Sequence, residues 1–156
     1  MGNERNYEKR TGKQIAGAGI SEIEQAALRL QSLERHSDMN ENLPVGVFDS
    51  GIGGLTVVKE IMSLLPNEKI IYFGDTARLP YGSKSKETII AYSRQIIRFL
   101  LGADGSSPKV KAIVIACNTA SALALDEVAE ETPVPVIGVV KPGARAAVQA
   151  TTNGKI

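Results

Sequence analysis

The sequence has little cysteine, few aromatic residues and no excess of charge. One cysteine in 156 residues excludes an internal disulfide framework and a metal site built from several cysteines. The chain has no tryptophan, four tyrosines and three phenylalanines, too few to favour an aromatic-stacking nucleic-acid binder. Its 18 basic residues are balanced by 17 acidic ones, so no electrostatic footprint for DNA, RNA or an anionic membrane is visible.

Long apolar runs are also missing. No run approaches the roughly 18 residues of a membrane-spanning helix, and the start MGNERNYEKR is too polar for a secretory signal. Hydrophobic residues still make up 43% of the chain, which is incompatible with wholesale disorder. The composition therefore predicts a soluble cytoplasmic protein.

The chain divides into three parts by pattern. Residues 1–44 are polar and hold one amphipathic pattern, preceded by the Ser21 and Glu24 capping box, so they predict a helical extension. Residues 45–137 predict one α/β domain. Residues 138–156 predict a connection toward a second domain, because the pattern at Gly154, Lys155 and Ile156 is that of the start of another strand.

From Val45 onward, short apolar runs alternate with longer helical patterns. The predicted strands are Val45–Phe48, Lys69–Phe73, Lys111–Ala116 and Val134–Ile137. The predicted helices are Leu55–Leu65, Glu87–Leu101, Ala120–Glu131 and Ala144–Ala150. Strands that are apolar throughout indicate a parallel sheet with helices on both faces, and hence the α/β class.

In open parallel sheets, ligands bind where the strands end and the chain turns into a helix. The loop after the first strand is Asp49–Gly54, DSGIGG, in which glycines allow a tight turn and can present N–H groups to an anion. This loop is not a dinucleotide fingerprint, since the third glycine position falls on Thr56, and no Walker lysine follows. Asp49 and Ser50 place a carboxylate and a hydroxyl where a ligand would lie.

The loops after the second and third strands are polar too. In Gly74–Gly82, taken alone, we expect Asp75 and Arg78 to form a solvated ion pair and Tyr81 to be half buried. Cys117 follows the third strand at a predicted helix N-terminus, where the helix dipole favours a thiolate. Its neighbours Asn118 and Thr119 offer groups that bind a carboxylate.

The three loops together predict a small-molecule cleft at one sheet edge. His36 is the only histidine and lies in the polar extension, which disfavours a Ser-His-Asp triad and a Cys-His protease. A cysteine with acidic and amide neighbours but no histidine suits proton transfer at carbon, with the thiolate as base.

Three segments resemble the amino-terminal half of the glutamate racemase family. They are residues 44–54 (PVGVFDSGIGG), Tyr72–Gly82 (YFGDTARLPYG) and Val114–Ala122 (VIACNTASA). A fourth segment, Val136–Ala147 (VIGVVKPGARAA), resembles the connection between the two halves of that family. The resemblance implies a cofactor-independent enzyme without a metal, which interconverts L- and D-glutamate in the cytoplasm for peptidoglycan and cell shape. It also implies a truncated form of a two-domain racemase that forms homo-oligomers, with a dimer expected at full length.

The same resemblance implies roles for single residues. Cys117 corresponds to one of two catalytic thiols, and Asp49 to the residue that assists it. The positions that match substrate-contacting residues of the family are Asp49, Ser50, Tyr81, Gly82, Asn118 and Thr119. The family's second half, with its Gly-Cys-Thr-His motif, has no counterpart in this sequence, so we expect the chain to be inactive alone.

Two alternatives remain open at this level. One is aspartate racemase, because part of the substrate specificity is expected to reside in the second half. The other is a non-catalytic α/β fragment that keeps its contacts with glutamate but does not turn it over.

Overall fold

The computed structural model describes residues 42–103, 105 and 109–152. The helix predicted within residues 1–44 and the capping box at Ser21 lie outside the described residues. Within the described part of the chain, no helix is long and apolar enough to cross a membrane.

Four parallel strands form one sheet. They are β1 (Val45–Asp49), β2 (Ile70–Gly74), β3 (Ala112–Ile115) and β4 (Val136–Gly138). Their order across the sheet is β2-β1-β3-β4, and all three neighbouring pairs are parallel. Because the strands share one direction, β1, β2 and β3 all deliver their following loops to the same edge of the sheet.

Among the described residues, five helices and two short 3-10 turns connect and cover the strands. The helices are α1 (Leu55–Leu64), α2 (Lys86–Leu100), α3 (Asn118–Leu123), α4 (Leu125–Glu131) and α5 (Val140–Ala150). The 3-10 turns are Thr76–Arg78 and Tyr81–Ser83, both between β2 and α2. The start of α2 has a local cause, since the Ser85 side chain caps the helix by accepting the Thr88 N–H.

Both faces of the sheet are buried, as the apolar strands predict. On one face, Val45 and Val47 of β1 pack with β3 residues and with Ile61 of α1. On the other face, Phe48 of β1 packs in a larger cluster with residues of α2, α3 and α4, among them Ile89. The predicted α/β class and the parallel sheet with helices on both faces are confirmed.

The prediction of one helix over Ala120–Glu131 was wrong. The helical turn begins earlier, at Asn118, and Ala124 interrupts it with φ −120° and ψ −16°. No glycine or proline marks this break in the sequence. Ala124 still donates its N–H to the Ala120 carbonyl and accepts the Val128 N–H, and Ala120, Ala124 and Val128 all remain buried in the larger cluster.

The last helix also begins earlier than predicted, at Val140 instead of Ala144. Pro142 and Gly143 suggested a later start. Proline is tolerated in the first turn of a helix, however, because its missing N–H would have no intrahelical partner there.

Candidate active site

Cys117 lies where the sequence predicts it, just beyond the end of β3 and at the start of a helix. It is the N-cap residue of α3, and 4% of it is exposed. Its Sγ lies 3.5 Å from Ser50 Oγ, and this thiol-to-hydroxyl contact joins the loop after β3 to the loop after β1.

Asp49 ends β1 and is 7% exposed. One carboxylate oxygen, Oδ2, accepts the Gly54 N–H at 2.9 Å. The other, Oδ1, lies 3.5 Å from Ser50 Oγ, which is longer than an ordinary O–H···O hydrogen bond. Catalytic hydrogen bonds in ligand-free sites are often long and shorten when substrate binds. Asp49, Ser50 and Cys117 thus form a loosely connected line of carboxylate, hydroxyl and thiol.

The glycine-rich loop differs from the sequence-based interpretation. The only described glycines with positive φ are Gly102 and Gly105, both outside this loop. Gly54 is required for space, since a Cβ there would lie 2.8 Å from the Cβ atoms of Ala116 and Asp49. Its N–H binds the Asp49 carboxylate, so this donor orients a site residue and is not free for an external anion.

The loop after β2 contradicts two expectations. The ion pair of Asp75 and Arg78 is present but not solvated, because Asp75 is 5% exposed and Arg78 26%. Tyr81 is not half buried: it is 2% exposed, and its hydroxyl donates to Asp75 Oδ2 at 2.5 Å. The sequence could not indicate this burial, because the residues that cover the loop come from α2 and α3.

Two phenols near the site are held in the neutral form. Burial raises the pKa of Tyr81, and the hydrogen bond to Asp75 and the negative charge of Asp75 raise it further. Burial also raises the pKa of Tyr72, with smaller contributions from the charges of Asp49 and Cys117. Both hydroxyls therefore serve as hydrogen-bond donors at neutral pH.

Tyr72 is a site residue that the sequence analysis missed. Its hydroxyl donates to the Gly51 carbonyl at 2.8 Å, and its ring lies beside Gly54. It therefore holds the loop after β1 against β2. The available signal was a single tyrosine hydroxyl in an otherwise apolar strand, since a buried phenol generally needs a hydrogen-bond partner.

The predicted site residues all lie at the carboxyl edge of the sheet, but they are not equally connected. Ser50 contacts both Asp49 and Cys117, and Tyr81 lies in the same buried cluster as Cys117. The other predicted site residues flank them: Gly82 and Asn118 are exposed, and Thr119 is half buried. Helix α3, which begins with Asn118 and Thr119, lies against the Tyr81–Ser83 turn that contains Gly82.

A family model described as Asp/Glu/Hydantoin racemase matches residues 46–156. The chain belongs to this racemase family. The match includes the loops after β1, β2 and β3, and so every residue of the candidate site.

Individual members of the racemase family are also similar. The chain is 53% identical to a glutamate racemase of Lactococcus lactis subsp. cremoris over 116 residues, which are 74% of this chain and 41% of that protein. It is 53% identical to a glutamate racemase of Geobacter metallireducens over 112 residues, which are 72% of this chain and 40% of that protein. The chain thus spans about two fifths of the length of these curated relatives.

Two solved racemase structures carry bound small molecules. Glutamate racemase from Thermus thermophilus in complex with β-chloro-D-alanine is 55% identical, with a TM-score of 0.63 over 69% of this chain and 40% of that one. Glutamate racemase from Francisella tularensis in complex with D-glutamate is 57% identical, with a TM-score of 0.57 over 64% of this chain and 36% of that one.

Proposed function

We propose that the chain carries one half of a glutamate racemase active site, with the thiolate of Cys117 as the base for one face of the α-carbon. The observation that carries this proposal is the line of Asp49, Ser50 and Cys117 at the carboxyl edge of the sheet. Membership of the racemase family and the similarity to glutamate racemases support it.

The chemistry of the thiol is a single proton transfer. The thiolate takes the α-proton of glutamate, an S–H bond forms, and the electron pair of the broken C–H bond stays on the α-carbon. Asp49 assists through Ser50, because the thiol faces Ser50 Oγ and the Ser50 hydroxyl faces the carboxylate, so both contacts direct the thiol proton away from the sulfur before substrate is deprotonated. Because the α-proton is a very weak acid, the site must also position the substrate and stabilise the developing charge.

Inversion of configuration needs a second acid on the opposite face of the planar intermediate. This sequence has one cysteine, so a second thiol is absent from it. By resemblance to the family, the second thiol belongs to a second half, joined through residues 138–156. The proposal therefore assigns racemisation to the two halves together and half of the proton transfer to this chain.

The substrate contacts are proposed residue by residue from the resemblance. Asp49, Ser50, Gly82, Asn118 and Thr119 would bind polar groups of glutamate. Tyr81 also matches a substrate-contacting position of the family, but its hydroxyl donates to Asp75. The wider role follows from the same resemblance: D-glutamate made in the cytoplasm without a cofactor, for peptidoglycan and cell shape, by a homo-oligomeric enzyme.

Proton exchange in D₂O tests the proposal. The chain is incubated separately with D-glutamate, L-glutamate and D-aspartate, while NMR follows the α-proton and chiral chromatography follows configuration. We expect slow deuterium incorporation into D-glutamate, whose α-proton faces Cys117 by resemblance, with configuration retained. We expect no exchange in Cys117→Ala and much slower exchange in Cys117→Ser, which keeps the size but not the acidity.

Protection of the thiol provides a second readout. D-glutamate should slow the alkylation of Cys117 by iodoacetamide, because the substrate would cover the sulfur. Exchange that persists in Cys117→Ala, or a preference for aspartate, would contradict the assignment. So would the absence of both exchange and protection, or racemisation by this chain alone.

A further inference from the structure

We propose that Asp75, Arg78 and Tyr81 form a positioning network that fixes the loop between β2 and α2 next to Asp49 and Cys117. Tyr81 acts in it through its hydrogen bond to Asp75 and not by donating a hydrogen bond to the substrate. The inference rests on the proposed function for its ligand, D-glutamate, adds Asp75 and Arg78 to the residues that the family resemblance supplied, and gives Tyr81 a positioning role.

Asp75 is the centre of the network. Its carboxylate accepts the Tyr81 hydroxyl at 2.5 Å and lies 2.9 Å and 2.6 Å, at Oδ1 and Oδ2, from Arg78 Nε. Its backbone N–H donates to the Asp49 carbonyl at 2.9 Å. Asp75 therefore connects the loop to the strand end that carries the proposed catalytic carboxylate.

Arg78 fastens the loop to α2. Its Nη1 donates to Gln95 Oε1 at 2.7 Å, and its guanidinium lies 4.2 Å from the centre of the Tyr92 ring. Such a planar, forked cation can bind a carboxylate and cover an aromatic face at once, which a lysine cannot do. The loop is thereby held at both ends, at β1 and at α2.

Tyr81 connects the network to the surroundings of the Cys117 thiol. Its side chain is buried in the same cluster as Cys117, and its ring centre lies 5.8 Å from that of Tyr92. Gly82, which follows directly, is exposed. A loop that is fixed before substrate arrives loses less conformational entropy on binding, so the network should favour binding without touching the ligand.

A buried network of this kind acts as a unit. Removal of one partner leaves the hydrogen bonds of the Asp75 carboxylate incomplete and disturbs the whole network. Removal of a second partner then causes little further loss of binding. Non-additive losses of affinity therefore distinguish the network from a direct contact between the Tyr81 hydroxyl and the substrate. If that direct contact existed, the loss of affinity in Tyr81→Phe would add to the loss in Asp75→Asn.

A double-mutant cycle on the full chain tests the inference, with Asp75→Asn, Tyr81→Phe and the double variant. The Kd for D-glutamate is obtained from protection of Cys117 against iodoacetamide. We expect each single variant to weaken binding by about tenfold, and the double variant to be no weaker than the worse single variant. Additive losses, or no loss in either single variant, would overturn the proposal.

Tyr92→Phe is the matched control. It also removes one phenolic hydroxyl from this region, but among the described residues that hydroxyl makes no hydrogen bond, and the ring beneath Arg78 is kept. We expect its Kd to stay within about twofold of the parent chain. If Asp75→Asn fails to fold by circular dichroism, Arg78→Lys replaces it in the cycle, with the same non-additivity expected.

One readout needs no ligand and so separates this inference from the proposed function. Without glutamate, Asp75→Asn and Tyr81→Phe should each raise the alkylation rate of Cys117 several-fold, with no further increase in the double variant. If D-glutamate fails to protect the parent chain, the proposed function fails. If the alkylation rates stay unchanged, the network fails.

Discussion

Buried polar side chains at the carboxyl edge of the sheet are paired, and the pairs define the site. Asp49 accepts a backbone N–H, Asp75 accepts a phenol and a guanidinium, and Ser121 accepts the Val140 N–H. A buried polar group without a partner costs free energy that a paired one does not. Ser93 is the exception among the described residues, since its Oγ is buried and has no hydrogen-bond partner.

Replacement of Ser93 by alanine should stabilise the protein. The residue is fully buried on α2, and alanine removes an unsatisfied hydroxyl while improving helix propensity. We expect the free energy of unfolding to rise by about 1 kcal/mol, measured by urea denaturation.

Ser85→Ala is the control on the same helix and should have the opposite effect. Ser85 caps α2 by accepting the Thr88 N–H, so its loss should lower the free energy of unfolding by about 1 kcal/mol. A destabilised Ser93→Ala would mean that the Ser93 hydroxyl has a partner after all.

At the scale of elements, α3 connects the thiol to the rest of the fold. It starts at the residue after Cys117 and packs on β3 and β4. The Ser121 hydroxyl, on the same helix, accepts the N–H of Val140 at the start of α5 at 3.2 Å. One short helix thus couples the end of β3, the end of β4 and the first turn of α5.

Gly138, at the end of β4, is packed so closely against α3 and α4 that a side chain does not fit there. A Cβ there would overlap Ser121 Oγ and lie 2.8 Å from Leu125 Cδ2. Gly138→Ala should therefore lower the free energy of unfolding by about 1–3 kcal/mol, measured by urea denaturation. The loss should be smaller in the Ser121→Ala background, because the overlapping oxygen is gone.

Gly143→Ala is the matched control in α5. A Cβ at this position meets nothing within 4 Å, and alanine favours a helix. We expect the same or a slightly higher free energy of unfolding. Equal destabilisation by both substitutions would contradict the steric explanation of Gly138.

At the scale of the whole molecule, ion pairs lie at both the amino and the carboxyl ends of the strands. At the edge opposite the site, Lys111 Nζ lies 2.8 Å from Glu68 Oε2, and these side chains are 9% and 12% exposed. At the carboxyl edge, the corresponding buried pair is Asp75 and Arg78. On the outer surface, Lys86 and Arg94 of α2 pair with Glu127 and Glu131 of α4.

The raised pKa of Tyr81 predicts a loss of stability at alkaline pH. In the unfolded chain the phenol ionises near pH 10, whereas burial and Asp75 keep it protonated in the folded chain. Above pH 10 the folded state therefore binds more protons, and the free energy of unfolding falls as pH rises. A single such group contributes a slope of at most about 1.4 kcal/mol per pH unit.

Urea denaturation at pH 8, 10 and 11 measures this slope in the parent chain and in Tyr81→Phe. The variant should be less stable at pH 8 but lose less stability between pH 10 and pH 11. Parallel declines in the two proteins would show that Tyr81 does not contribute to the alkaline transition.

The sequence by itself determined the class of fold and brought out the residues at the centre of the candidate site. Continuous apolar strands such as Ala112–Ile115 need cover on both faces, which requires a parallel sheet between helices. Parallel strands bring their following loops to one edge, so Asp49, Ser50 and Cys117 could be expected together before any coordinates.

Only the tertiary structure decided how those residues are held. The break at Ala124, the burial of Asp75 and Tyr81 and the contact of Tyr72 with Gly51 depend on elements distant in sequence. Periodicity and turn residues report local preference, whereas burial and hydrogen-bond partners depend on which helix packs over which loop. Asp75 and Tyr81, in a loop that the sequence predicts to be solvated, are therefore buried because of the helices that pack beside them.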